Sequence, residues 1–442
     1  MTGLSKPVVV IGAGLTGMSA AYHLRELGIG YRILERSDRP GGLAITVQDG
    51  GFCFDLTGHL LHLRDPDMRE LVVDLIGDQL LELQRHSMVW SCGTYTHYPY
   101  QANTFGLPPE VAFECVMGFL RTLDRGNKPD EPVRDFEQFC LRHFGDGFSK
   151  HFMIPYNCRL WGVSPSEITA DWCSRFVPLP KLEDVIAGAL GYKRREMGYN
   201  ARFLYPRHGI GTLSERLAAR VGDVELSKPV SRIDTKKKLV YTDDGETIEY
   251  RVLISSAPLD RLVAMIDDVP SAVQQAAQAL QCSSLWYLDV ALATPALKPY
   301  HWVYVPESKY PFYRLGIYSN FSAELAPENH SAMYIELADR NAPNLTELTP
   351  RIANHLIEMG LLQHPQQLLF ARARKIDHAY VIYNHAYNQS VETIMTFLRQ
   401  RRIISTGRYG GWNYSAMEDA LLFGKNAATL AGEIMQERLC ND

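Results

Sequence analysis

The chain has 442 residues, 46% apolar and 21% charged, with a formal net charge of −5. That length exceeds one ordinary domain, and the composition excludes a disordered or fibrous chain. The mild acidity offers no basic face to a nucleic acid, no apolar run reaches the length of a membrane span, and MTGLSKPVVVIGAG lacks a signal-peptide pattern, so a cytoplasmic protein is expected.

PVVVIGAGLTGMSAAYHLRELGIGYRILER reads as strand, glycine turn, helix and second strand. The unbroken apolar run Val8 to Ile11 suits a sheet covered on both faces. Gly12, Gly14 and Gly17 form GxGxxG: the first allows a tight turn, the second lets a pyrophosphate approach the backbone, the third brings helix and strand together. The helix opening at Leu15 and Thr16 presents free N–H groups and a partial positive charge to phosphates. Glu35 lies 18 residues after Gly17, where its carboxylate can accept hydrogen bonds from ribose hydroxyls. A dinucleotide site is expected here.

Just beyond, RSDRPGGLAITV sets Gly41 beside Gly42. A second glycine pair at this place resembles the FAD-binding, amine-oxidase-like flavoproteins. VELSKPVSRID (224–234) and YRVLISSAPLDRL (250–262) resemble that family's adenine-contacting and returning strands, and IISTGRYGGWNYSAMEDALLFGKNAATLAGEIM its late segment closing the FAD site. The resemblance implies an α/β fold whose Rossmann-like FAD-binding domain is discontinuous, built from 5–90, 202–262 and 400–437. It implies Arg36, Leu43, Gly58, His59, Val230, Gly407, Arg408 and Met417 as cofactor-binding residues beside Gly12, Gly14, Leu15, Thr16, Gly17, Glu35, Gly41 and Gly42.

Between these stretches the pattern changes. Helices are predicted over 108–126, 135–152 and 181–190, making a helical substrate domain of 104–200. SLWYLDVALA, HWVYVPE, FYRLGIYSNF and SAMYIELA predict an antiparallel β-sheet substrate platform over 91–103 and 263–399. DTKKKLVYTDDGETIEYR is expected to be a surface hairpin turning at Asp244–Gly245. The eight cysteines form no CxxC pair and no zinc-spaced cluster, so reduced thiols and no metal are expected.

PYNCRLWGVSP, residues 155–165, suits neither a core helix, given Asn157 and Arg159, nor a solvated loop, given Tyr156 and Trp161. It fits the lining of a pocket for a polar, ring-shaped ligand. HYPYQANTF, WVYVPESKYPFYRLGIYSNFS, WCSRFVP, DHAY and GRYGGWNY share this mixture of tyrosine, arginine and amides. Singly, such residues are more often packing or surface; their order along the chain carries the reading. PYNCRLWGVSP, YPYQANTF and PFYRLGIYSNFS resemble the UDP-galactopyranose mutases, the eukaryotic-type branch more than the bacterial one, within a likeness running from Val8 to about Ala427.

The resemblance implies a role for each matching residue. Arg175 and Arg314 would hold a substrate diphosphate, as guanidinium forks do bidentately, with Tyr304, Tyr380 and Tyr414 hydrogen-bonding it. Phe152, Tyr98 and Gln101 would form a uracil pocket, with Tyr100 beside them on the substrate; Asn157 and Trp161 would line the sugar site. His59 would sit on a mobile loop beside flavin N5, Arg408 would lie against the flavin, and Arg85 and Ser87 would dock NADPH. His59, Arg175, Arg314 and Arg408 are thus the implied catalytic residues. Two positions depart from the family pattern: Thr57 stands where the histidine loop usually begins with glycine, and Met417 near where eukaryotic-type members carry an amide.

The implied activity interconverts the pyranose and furanose forms of a nucleotide sugar, UDP-galactopyranose and UDP-galactofuranose, by attack of reduced FAD N5 on the anomeric carbon with no net redox change. NADPH or NADH would reduce the FAD, and the product would serve cell-surface polysaccharide biosynthesis. The alternative is an FAD oxidase or desaturase of the amine oxidase or protoporphyrinogen oxidase type, which would prefer an apolar cavity. Self-association is left open.

Overall fold

The structure is a computed structural model that describes residues 6–124, 132–173, 177–192 and 202–436. A five-stranded parallel sheet has the order 403–405, 252–255, 8–11, 31–34, 224–225. Its strands come from three distant stretches of the chain. Val8–Ile11 is buried along its whole length, with parallel neighbours on both sides. The helix Leu15–Glu26 packs over this sheet and is crossed by the C-terminal helix Met417–Gln436. At the crossing, a Cβ on Gly424 would lie 2.4 Å from the Thr16 carbonyl oxygen, so the backbones touch.

A seven-stranded sheet follows the order 368–382, 281–292, 331–337, 312–317, 302–304, 87–91, 94–97. It is antiparallel except where Trp302–Tyr304 runs parallel to Ser87–Ser91. Strand Ser87–Ser91 belongs wholly to this sheet, so the platform begins before the expected boundary at 91. The predicted surface hairpin is present within a separate three-stranded sheet, with Gly245 at φ +86° in its turn.

The helical region contains Pro109–Asp124, Phe136–Phe148, Ile154–Trp161 and Leu182–Leu190. The predicted single helix over 135–152 is broken twice. Gly145 at φ +75° kinks it because its Cβ position is taken by the Gly118 backbone, and Ser149–Met153 forms a π-turn. Residues 155–161 of PYNCRLWGVSP are helical, with Tyr156, Asn157 and Trp161 buried: Asn157 and Trp161 are four residues apart, and indole Nε1 donates to Asn157 Oδ1 at 3.1 Å.

Candidate active site

Two glycine loops meet above the parallel sheet. Gly12 turns at φ +95°, and a Cβ on Gly17 would fall 1.8 Å from the Gly12 carbonyl oxygen. The Gly41 N–H donates to the Ala13 carbonyl at 2.8 Å, and a Cβ on Gly42 would come 3.3 Å from Gly14 Cα. Side chains here would fill the space a diphosphate needs. Leu15 and Thr16 are buried at the helix start, and Gly407, at φ +86°, abuts Thr16 so closely that a Cβ there would stand 2.7 Å from Thr16 Oγ1. The late segment therefore closes onto the first helix. Glu35 is buried, its carboxylate accepting from the Ala13 and Ser37 N–H groups at 2.7 and 2.9 Å, which sets it at the edge of the turn. Arg36 is exposed beside it. Leu43 packs against the main core, Val230 is half-buried in the small sheet, and Met417 is half-buried at the start of the last helix.

The histidine loop is held from below. Tyr318 Oη donates to the carbonyls of Asp55 and Thr57 at 2.7 and 3.1 Å. Thr57 sits at φ +69°, a conformation a β-branched residue rarely adopts and the one glycine takes freely. Gly58 presses on Tyr334: a Cβ would come 2.2 Å from its hydroxyl. His59 Nδ1 lies 3.3 Å from the Thr57 carbonyl, which can only accept, so Nδ1 carries the hydrogen and Nε2 the lone pair. Burial, helped by the positive Arg408 and Arg314, lowers its pKa to about 4, so the imidazole is neutral.

The seven-stranded sheet supplies the charged floor. Arg314 faces Glu336 across two strands, with Nε and Nη2 donating to the carboxylate at 2.9 and 2.7 Å and Nη2 also to Tyr380 Oη at 2.8 Å. Glu336 is fully buried. Burial alone would lower the pKa of Arg314, but the carboxylate outweighs it and holds the value well above normal. Arg408 lies 4.9 Å from the Tyr414 ring centroid and 5.6 Å from that of Tyr380, and donates to the carbonyls of Ser415 and Ala379, at 2.9 and 3.1 Å. Among the described residues its Nε and the Ser415 hydroxyl are buried without partners. Trp161 packs edge-on against Tyr380 and Tyr414, at 5.6 and 6.1 Å.

On the far side, Tyr98 stacks on Tyr304 at 4.7 Å, and Arg85 lies 5.0 Å from the Tyr98 ring. Arg85 donates to Ser87 Oγ at 2.6 Å and Tyr304 Oη at 3.0 Å, so the pair expected to dock a reductant shares a network with an expected substrate tyrosine. Gln101 is buried, its amide donating to the Pro178 carbonyl at 2.9 Å. Phe152 lies parallel to Tyr100 at 5.0 Å and to Tyr156 at 5.2 Å and is 4% exposed, so in this conformation the ring is core and offers little surface to a third ring. Arg175 lies outside the described residues.

Sequence reasoning missed Glu336, Tyr334 and Tyr156. The hydroxyls of both tyrosines are buried without partners among the described residues. Tyr156 stands inside the motif already singled out; Glu336 and Tyr334 are placed only by strand register.

A glycine-walled cradle on a parallel sheet, closed by a late helix and facing orphaned polar groups, defines a dinucleotide-binding flavoprotein; the residues fit FAD. The flavin containing amine oxidoreductase family matches residues 15–431, and the chain belongs to it. The crystal structure of reduced UDP-galactopyranose mutase superimposes with a TM-score of 0.91 at 28% identity, covering 98% of this chain and 94% of that one. Coproporphyrinogen III oxidase of Staphylococcus aureus (strain NCTC 8325 / PS 47) is 36% identical over 288 residues, 57% of this chain and 61% of that protein. A probable UDP-galactopyranose mutase of Klebsiella pneumoniae is 23% identical over 177 residues, 39% of this chain and 45% of that one. The chain thus spans less than two thirds of these two curated relatives.

Proposed function

We propose that this flavoenzyme is an isomerase of the eukaryotic UDP-galactopyranose mutase type, interconverting pyranose and furanose forms of a nucleotide sugar. The observation that carries the reading is the cluster of half-buried Arg314, Arg408 and Tyr414 around buried Tyr380 at the expected flavin position. An oxidase for an apolar substrate has no use for guanidinium groups there, whereas a departing diphosphate does. The full-length likeness to a reduced mutase supports it.

FAD, when bound and reduced, supplies nucleophilic catalysis at the sugar's anomeric carbon. The protein does the rest. Arg314 Nη1 has no hydrogen-bond partner among the described residues and is the donor for a diphosphate oxygen, while Nε and Nη2 anchor the group to Glu336. Burial raises the pKa of Tyr380, so its hydroxyl stays protonated and able to donate. The aromatic rings around it exclude water, which strengthens each such bond. His59 Nε2 can take and return a sugar hydroxyl proton. Arg85 and Ser87 would receive NADPH or NADH. Arg175 would be the second diphosphate clamp.

The test incubates dithionite-reduced holoprotein with UDP-galactofuranose and separates products by chromatography. UDP-galactopyranose should form without net flavin oxidation, and Arg314→Ala should lose turnover by at least about a hundredfold while keeping FAD. Oxygen consumption with a porphyrinogen or amine, and no sugar turnover, would replace this reading with an oxidase.

A further inference from the structure

Among the described residues Arg159 donates through its guanidinium to backbone carbonyls and to none of the site's side chains, yet it is tied to both halves of the site. It stands midway between Asn157 and Trp161 on the helix Ile154–Trp161, so its side chain leaves by the opposite face. Its guanidinium donates to four backbone carbonyls: Nη1 to Val305 at 2.9 Å and Glu307 at 2.7 Å, Nη2 to Tyr310 and, at 2.8 Å, to Phe312. These carbonyls line the connection between strands Trp302–Tyr304 and Phe312–Ile317, in which Tyr304 pairs directly with Arg314. A second guanidinium holds the end of the same helix: Arg340 Nη2 donates to the carbonyls of Arg159 and Leu160 at 2.7 and 2.8 Å. Arg340 lies three residues beyond the strand Ser331–Leu337, which carries Glu336. A planar fork can span four carbonyls; a lysine ammonium has three donors and cannot. Burial brings the Arg159 pKa down to about 10, as befits a cation offered carbonyl dipoles without a carboxylate hydrogen bond.

We propose that Arg159 is a positioning residue that fixes the helix bearing Asn157 and Trp161 against the hairpin bearing Tyr304 and Arg314, holding the sugar and diphosphate ends of one ligand at a set separation. The ligand in this statement rests on the nucleotide-sugar reading; the clamp does not.

The test is Arg159→Lys in the full-length, FAD-loaded protein. Without ligand, amide exchange in 154–161 and 303–313 should rise together by about tenfold, the effect of losing one charge-assisted hydrogen bond. Turnover of UDP-galactofuranose, as kcat/KM, should fall about tenfold, while affinity for UDP, which lacks the sugar end, changes less than about threefold. Unchanged exchange in either segment, or UDP affinity falling as far as turnover, overturns the proposal. If the wild type turns over no nucleotide sugar, the functional reading fails, and ligand-free exchange still decides the clamp. Should the variant not accumulate as holoprotein, the wild type decides: under rising urea the two segments must lose protection together, and separate loss overturns the clamp.

Discussion

Arg314 and Glu336 form a buried ion pair, and such pairs behave asymmetrically. Breaking one by removing a single partner strands a charge, whereas replacing both with apolar groups of similar volume is often neutral. Glu336 is fully buried and Arg314 16% exposed, so solvent screens them little. Arg314→Met should therefore cost roughly 3–5 kcal/mol of stability, and Arg314→Met/Glu336→Leu should recover most of that while leaving turnover abolished. Urea denaturation of the holoproteins measures the first effect and product formation the second; a single variant as stable as wild type would refute the pairing. The sequence marks Arg314 as a cation in an aromatic strand. It gives no sign of Glu336, because the pairing depends on the register between two strands, which neither strand's own pattern fixes. Thr57 is the reverse case: the departure from glycine is visible in the sequence, and only the backbone shows that the loop keeps glycine's conformation there.

Helical periodicity in the sequence gives way where backbone geometry overrides it. The stretch 135–152 carries apolar residues at helical spacing, yet Gly145 must pass the Gly118 backbone and the π-turn Ser149–Met153 then shifts the phase of the helix Ile154–Trp161 that follows. The C-terminal helix was legible from its amphipathic pattern, but not its contact with the first helix. Gly424 meets Thr16 and Ala20 backbone atoms at 2.4 and 2.7 Å from a hypothetical Cβ, whereas Gly432 on the same helix meets only side-chain carbons, no nearer than 3.3 Å. Backbone cannot give way as a side-chain tip can. Gly424→Ala should thus destabilise the protein by about 1–3 kcal/mol and, by displacing Thr16 from Gly407, release flavin on gel filtration; Gly432→Ala should retain it. Equal flavin retention in the two variants would contradict a backbone contact at this crossing.

For the whole molecule, the cofactor frame was legible because its signals are local: a glycine turn, an acid at the end of the next strand, a late glycine loop. The assembly of one parallel sheet from three distant stretches followed from the family resemblance. The ionic balance inside the molecule was invisible to the sequence, since it depends on burial. His59, His62 and His301 are each lowered to about 4, mainly by burial. In the unfolded chain they titrate near 6.5, so between these values the unfolded state binds more protons and stability rises with pH. Asp55 and Asp289 are pushed up by burial to about 6. From about 3.9 to 6 the native state holds their protons more tightly, and their contribution to stability is lost as pH rises. Three groups oppose two, and the histidine window reaches higher, so the melting temperature should climb from pH 5 to pH 7. Asp55→Asn keeps much of the hydrogen-bonding shape around Thr46, Tyr205 and the Ile210 N–H but removes one opposing titration. It should lower stability overall and make the climb between pH 4.5 and 6 steeper, by up to about 1.4 kcal/mol per pH unit. Thermal melts of wild type and variant across this range decide it: a wild-type melting temperature that falls toward pH 7, or a variant with a shallower slope, would mean that the buried carboxylates and not the histidines govern the acid limb.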